Sequence, residues 1–260
     1  HGKTTTTAMT VWALKQLNIP VSYSIGAKTN FSEMGDYNPD SKYFVYECDE
    51  FDRNFLEFSP AISLITGVDY DHPDIYPSRS SYYEAFREFV SQSSMTLLWK
   101  EDAEKLNLSS SSTVVVLHKA DYDNIATDLV GRVNREDARL VCQSVVSIDE
   151  SQDITKLSEL LNRFPGLSRR FEEIATNIYS DYAHTPAKIR GAIQTALETN
   201  KELVVIYEGL HNTRQHFIKD ELPKLFVGAK IVYVVPSYLA REDQSLEILT
   251  PEKIASLISE

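Results

Sequence analysis

The chain has 260 residues, 42% of them hydrophobic, with a formal net charge of -12. That length is enough for one large domain or two of ordinary size around a sizeable core. The acidic balance argues against nucleic acid or an anionic membrane as partner, because affinity for either rests on clustered Lys and Arg.

The first stretch with chemistry in it is His1-Gly2-Lys3-Thr4-Thr5-Thr6-Thr7. It reads as the second half of a phosphate-binding loop, in which a glycine lets the backbone approach the phosphates, a lysine neutralises them and the following hydroxyl ligates Mg²⁺. Taken alone, three residues are more simply a polar helix start, and the loop reading leans on what lies downstream. Apolar spacing at Ala8, Met9, Val11, Trp12, Leu14 and Leu17 predicts that a helix follows, so the loop would sit at a helix N-terminus. The motif opens without its first glycine, and the chain is expected to be part of a longer polypeptide.

Asn18-Ile19-Pro20 is a turn, Val21 to Ile25 alternates as a strand, and Tyr43-Phe44-Val45-Tyr46 is continuously apolar, as a buried parallel strand would be. That strand runs into Glu47-Cys48-Asp49-Glu50-Phe51-Asp52, four carboxylates placed where ligands of open α/β sheets collect. A solvated acidic loop is the simpler alternative. A third strand, 61–68, leads to Asp69-Tyr70-Asp71-His72-Pro73-Asp74, where His72 is a candidate ligand or a hydrogen-bonded loop residue. A helix over 81–90, strands at 96–99 and 113–117, and a helix carrying Leu140, Val141, Val145 and Val146 complete the first part. Phe164-Pro165-Gly166 interrupts the pattern, which sets domains at 1–165 and 166–260. The second part predicts strands at 171–174, 178–181, 203–207 and 231–235, with helices at 186–197, 214–225 and 251–258. Cys48 and Cys142 make neither a disulfide framework nor a metal pattern and suggest a reducing compartment. No apolar run approaches the roughly 18 residues of a membrane span and no signal peptide is visible, so a cytoplasmic location is expected.

In order, these stretches resemble the Mur ligases, ATP-dependent amide-forming enzymes of peptidoglycan precursor synthesis. HGKTTTTAMT is similar to the family's nucleotide loop, ECDEFDRNFL to EADESDxSFL and ITGVDYDHPDIY to the strand ending in DHxDxY. GRVNREDA is similar to GxHNxxNALA, FPGLSRRFE to FxGVxRRFE, SDYAHTP to DYAHxP and YLARED to Y-x-A-R-E-D. The resemblance covers nearly the whole chain. It implies an α/β fold, with a central P-loop ATPase-type domain on a mostly parallel sheet, then a Rossmann-like C-terminal domain; the N-terminal UDP-binding domain is absent from this sequence.

The resemblance also implies ATP and Mg²⁺ as cofactors, and UDP-N-acetylmuramate and L-alanine as substrates. Gly2 and Lys3 would meet the phosphates, Thr4 one cation, and Glu47 and His72 a second. Asn134 would approach the adenine, Arg170 the phosphates and Asp181 the ribose, with His184 and Arg214 near the muramate carboxylate and incoming amino acid. On the residues alone, Arg170 and Arg214 could be surface ion-pair partners, Asp181 a strand-end cap and His184 a neighbour of a helix cap. Two departures stand out. Asp137 replaces the family's second adenine-side Asn, and in residues 208–215 only Thr213 and Arg214 survive of QPHRYTRT. The expected activity is ligation of L-alanine to the sugar nucleotide through an acyl phosphate. The alternatives are another Mur-type ligase, or a nucleotide-binding module without catalysis.

Overall fold

The computed structural model describes residues 2–72, 75–122, 127–239 and 242–259. The chain divides into two units, His1–Leu129 with Val133–Arg170, and Val130–Arg132 with Phe171–Glu260. Helices alternate with mostly parallel strands, an α/β architecture.

The first unit opens with α1 (Lys3–Gln16), which buries residues all round, including Thr6, Ala8, Val11 and Leu14. The buried Thr10 hydroxyl is satisfied within the helix, donating to the Thr6 carbonyl at 2.8 Å. The helix closes at Asn18, whose φ of 57° is left-handed, with the Ile19 N–H bonded back to the Leu14 carbonyl at 2.9 Å. Asparagine tolerates that turn and Pro20 cannot extend the helix beyond it.

Strands β1 (Val21–Ser24), β2 (Gly35–Asp36) and β3 (Tyr43–Tyr46) form a sheet in the order β2-β1-β3, with β1 and β3 parallel. The apolar run of β3 predicts burial on both faces, and the structure differs. Phe44 and Tyr46 are 63% and 43% exposed, because β3 turns only Val45 toward the α1 core. The outward rings stack on each other, and Tyr46 also packs against Phe58.

A second sheet, parallel throughout, orders β4 (Ile62–Ile65), β5 (Met95–Trp99) and β6 (Val114–Leu117) as β4-β5-β6. Between its strands run α2 (Arg79–Gln92), started by reciprocal bonds between Ser78 and Ser81, and α3 (Lys100–Lys105). Strand β5 is covered on both faces. Leu98 joins Phe86 and Phe89 of α2 in one cluster, while Leu97 joins Leu140 of α4 (Arg132–Ile148) in another. Helix α4 and α5 (Ile154–Leu161), capped by Asp153, also enclose α1 through Val141, Val145, Leu157 and Leu161. Each such side chain contributes roughly 1.5–3 kcal/mol of burial.

In the second unit β7 (Glu172–Ala175) and β8 (Ile178–Ser180) pair antiparallel. Only two residues separate them, so they form a hairpin around Asn177, φ 59°, where the sequence suggests two strands of an alternating pattern. Helix α6 (Pro186–Thr199) follows, then β9 (Val204–Leu210) beside the parallel β10 (Ile231–Tyr238). The helix expected over 214–225 is broken into α7 (Asn212–Ile218), a tight turn and α8 (Leu222–Leu225), since Pro223 lacks the N–H that a continuous helix requires. With α9 (Pro251–Ser259) these bury Ile189, Ile193, Ile218, Leu222 and Ile254.

Both cysteines are free thiols, and burial pushes Cys48 up to about 11 and Cys142 up to about 12, so each stays protonated at neutral pH. Among the described residues no helix is long and apolar enough to cross a membrane.

Candidate functional site

Gly2 precedes α1 in a left-handed conformation, φ 83°, and a Cβ on it would lie 2.4 Å from Asp137 Oδ1. Conformation and space both require glycine there. The next two residues face carboxylates. Thr4 donates its hydroxyl to Glu47 Oε1 at 2.7 Å, while Glu47 Oε2 accepts from the Gly26 N–H at 2.8 Å. Gly26 is the second residue whose approach admits no side chain, since a Cβ would stand 2.5 Å from that oxygen. Glu47 is thus fixed between the carboxyl ends of β1 and β3, the position a parallel sheet reserves for ligands.

Lys3 forms ion pairs with Glu50 and, at 3.5 Å, with Asp49. Burial opposes its charge, but the two carboxylates outweigh that and raise its pKa. Burial works against ionisation of Asp49 too, and the Phe51 N–H and Lys3 more than reverse it, holding this carboxyl below its ordinary value. Asp49, Glu50 and His72 each offer a ligand atom, all within 4.8 Å of one another. His72 thus lies near Asp49 and Glu50, with Asp71 Oδ2 at 3.8 Å from its Nε2, while Glu47, the partner the sequence suggests for it, turns to Thr4 and Gly26. The sequence places four carboxylates in this loop, but the fold selects which of them gather.

Tyr76 holds the two loops together. Fully buried, it donates its hydroxyl to the Glu50 carbonyl at 2.6 Å, and its N–H bonds to the His72 carbonyl at 2.9 Å. Burial pushes this phenol up to about 12, so it remains a donor. Sequence reasoning missed it, although it closes the DHPDIY motif. Tyr76→Phe should lower unfolding stability by about 1 to 2 kcal/mol, the loss of a buried hydrogen bond, measured by urea denaturation with an unchanged slope.

Arg170 reaches this site because its segment is strapped to the loop after β1. The Ser168 N–H donates to the Lys28 carbonyl at 3.1 Å, Leu167 bridges Thr29, and Arg170 Nη2 then lies 3.4 Å from Thr4 Oγ1. Asn134 is half-buried in the first turn of α4. One turn on, Asp137 is only 2% exposed, and burial pushes its carboxyl well above the usual range. Because the folded state holds this proton more tightly than the unfolded one, stability falls as pH rises above the ordinary carboxylate range. Asp137→Asn should melt with the wild type near pH 4 and about 3 °C or more above it at pH 7, read by calorimetry.

The remaining candidates belong to the second unit. Asp181 accepts from the N–H groups of Phe171, at 2.8 Å, and Ala183, at 2.7 Å. His184 Nδ1 lies 2.8 Å from the Tyr182 carbonyl, directly before Thr185, which precedes α6 without a side-chain bond to it. Arg214 is half-buried in α7. Around it the altered motif makes structural bonds. Gln215, fully buried, accepts from the Tyr207 hydroxyl at 2.8 Å, and Asn212 accepts from the Leu249 N–H at 2.8 Å. His211 is left-handed at φ 55°. His1, Asp74 of DHPDIY, and Ala240 and Arg241 of YLARED lie outside the described residues.

Residues 1–152 match the family model described as the Mur ligase middle domain. The chain belongs to the Mur ligase family. Among curated Mur ligases it is 28% identical over 297 residues to the UDP-N-acetylmuramate--L-alanine ligase of Streptococcus equi subsp. equi, an alignment covering 99% of this chain and 66% of that protein. The enzyme of that name from Lactobacillus delbrueckii subsp. bulgaricus is also 28% identical, over 99% of this chain and 64% of its own length. This Mur ligase chain thus spans just under two thirds of those relatives. Among solved structures, the UDP-N-acetylmuramate-alanine ligase of Thermotoga maritima superposes with a TM-score of 0.76 at 27% identity, over 99% of this chain and 62% of that one. A murein peptide ligase from Psychrobacter arcticus shares the fold with a TM-score of 0.63 at 20% identity.

Proposed function

We propose that this Mur ligase joins L-alanine to UDP-N-acetylmuramate with ATP as phosphoryl donor. The observation that carries the reading is the convergence of Lys3, Thr4, Glu47 and Arg170 at the carboxyl ends of β1 and β3. The relatives' substrates support the choice of sugar nucleotide and amino acid. A cytoplasmic setting follows from ATP as donor.

In the reaction, a carboxylate oxygen of the sugar takes the γ-phosphoryl group, giving ADP and an acyl phosphate. The amine nitrogen then attacks the acyl carbon, phosphate leaves and the nitrogen loses a proton. Both steps gather negative charge on oxygen, which fixed positive groups stabilise. Lys3 would neutralise the phosphates, with Arg170 beside it. The hydroxyl and carboxylate oxygens of Thr4 and Glu47, and the Asp49, Glu50 and His72 group, suit a hard divalent cation. Mg²⁺ held there would screen phosphate charge as it moves. Asn134 is proposed to orient the adenine and Asp181 the ribose. Arg214 would hold a substrate carboxylate. His184 would take the amine proton at Nε2, since its Nδ1 already faces the Tyr182 carbonyl.

The test is phosphate release with ATP, Mg²⁺, UDP-N-acetylmuramate and one amino acid at a time, with the sugar nucleotide omitted as control. Release that needs the sugar nucleotide and is strongest with L-Ala supports the reading. A different best amino acid or a peptide would move the chain elsewhere in the family, which the altered motif around His211 makes the second reading. ATP binding with no release under any condition would leave a nucleotide-binding module without catalysis.

A further inference from the structure

Lys3 is bound to the carboxylates best placed to take a cation. Its ammonium is paired with Glu50 and lies 3.5 Å from Asp49, and these two carboxylates with His72 make up the group of ligand atoms within 4.8 Å. An oxygen that accepts from the ammonium has a lone pair engaged, so the lysine and a divalent cation compete for the same two carboxylates. Thr4 is occupied likewise, its hydroxyl given to Glu47.

Glu50 is held in this position. The Tyr76 hydroxyl and the Arg53 N–H, at 3.1 Å, both bond its carbonyl, and its side chain is only 14% exposed. Asp49 is fixed by the Phe51 N–H at 2.8 Å. The lysine meets a prearranged pair of acids, and these raise its pKa, so it stays charged and is withheld from an incoming phosphate by pairing alone.

We propose that Glu50, assisted by Asp49, is a positioning residue that keeps Lys3 away from the nucleotide phosphates until a divalent cation takes the two carboxylates and releases the lysine. The inference rests on the reading of Gly2, Lys3 and Thr4 as a nucleotide loop. It makes polyphosphate binding depend on the cation twice, once through the charge the cation brings and once through the lysine it frees. Glu50 thereby acts through Lys3, and a plain repulsion between Glu50 and phosphate would not.

A double-mutant cycle separates the two, with ADP as probe and titration calorimetry as readout, in EDTA and in Mg²⁺. In EDTA, Glu50→Gln should bind ADP about tenfold more tightly than wild type, while in the Lys3→Ala background the same change should give less than about twofold. Asp49→Asn should give a smaller gain, about threefold, and serves if Glu50→Gln folds poorly. The proposal is overturned if Glu50→Gln leaves metal-free affinity unchanged or lower, or if its gain persists without Lys3, which would mark simple repulsion. If Lys3→Ala alone leaves ADP binding in Mg²⁺ unchanged, the nucleotide-loop reading itself fails, a separate result.

Discussion

Glu47→Gln should lower amino-acid-dependent phosphate release by about 10²- to 10³-fold while moving the melting temperature by no more than about 2 °C. Glu47 meets two donors, the Thr4 hydroxyl and the Gly26 N–H. A glutamine can keep both contacts. Its oxygen accepts from Gly26 and its amide donates to Thr4, whose hydroxyl also accepts. What the substitution removes is the negative charge between the ends of β1 and β3, so fold and chemistry should separate in this variant. Release within about threefold of wild type would remove Glu47 from the reacting centre. A melting temperature lowered in step with activity would make it a structural strut.

Gly2→Ala should be nearly as damaging, by a different route. A methyl group there would sit 2.4 Å from Asp137 Oδ1 and 2.7 Å from Oδ2, and the backbone at φ 83° is strained for any residue with a Cβ. Holding alanine there costs about 1–3 kcal/mol. Asp137 sits in a packed helix turn with little room to retreat, so the loop must shift, and ADP affinity in Mg²⁺ should fall by about tenfold or more. Adding Asp137→Ala removes the collision but not the backbone strain, and should restore part of the affinity. Wild-type ADP binding by Gly2→Ala would show that the loop does not need this close approach.

What the sequence tells and what it conceals can be followed through these residues. Element types along the chain are mostly legible because apolar spacing reports which face is covered. The helix after Gly2, the apolar run of β5 and Pro186 at the start of α6 all correspond to structure, although α1 is covered all round and not on the one face its apolar spacing suggests. Strand β3 misleads because an apolar run gives no sign of how many faces will be covered, and only the layer opposite α1 could decide it. Residues 171–180 are legible as two strands, but their antiparallel pairing as a hairpin turns on one asparagine at a positive φ. In the candidate site, Lys3, Thr4 and Glu47 are proposed from motif and strand position, and the bond between Thr4 and Glu47 brings two of them together. Which carboxylates His72 meets depends on the path of two loops, and that path is set by Tyr76, a residue whose type gives no hint of the role. Asp137 can be seen in sequence as a departure, but its burial against Gly2 cannot.

Helix α1 begins at the proposed phosphate loop and is enclosed by a core of the first unit, with Ala8, Val11 and Leu14 at 0% exposure. A ligand gripped at its first turn is therefore gripped by the element whose departure would open that core. Occupancy should be readable as heat resistance, since a ligand that binds only the folded state adds about 2.7 kcal/mol at a hundred times its dissociation constant. Thermal-shift screening with a panel of nucleotides, requiring neither turnover nor a labelled substrate, would rank what this loop prefers to hold.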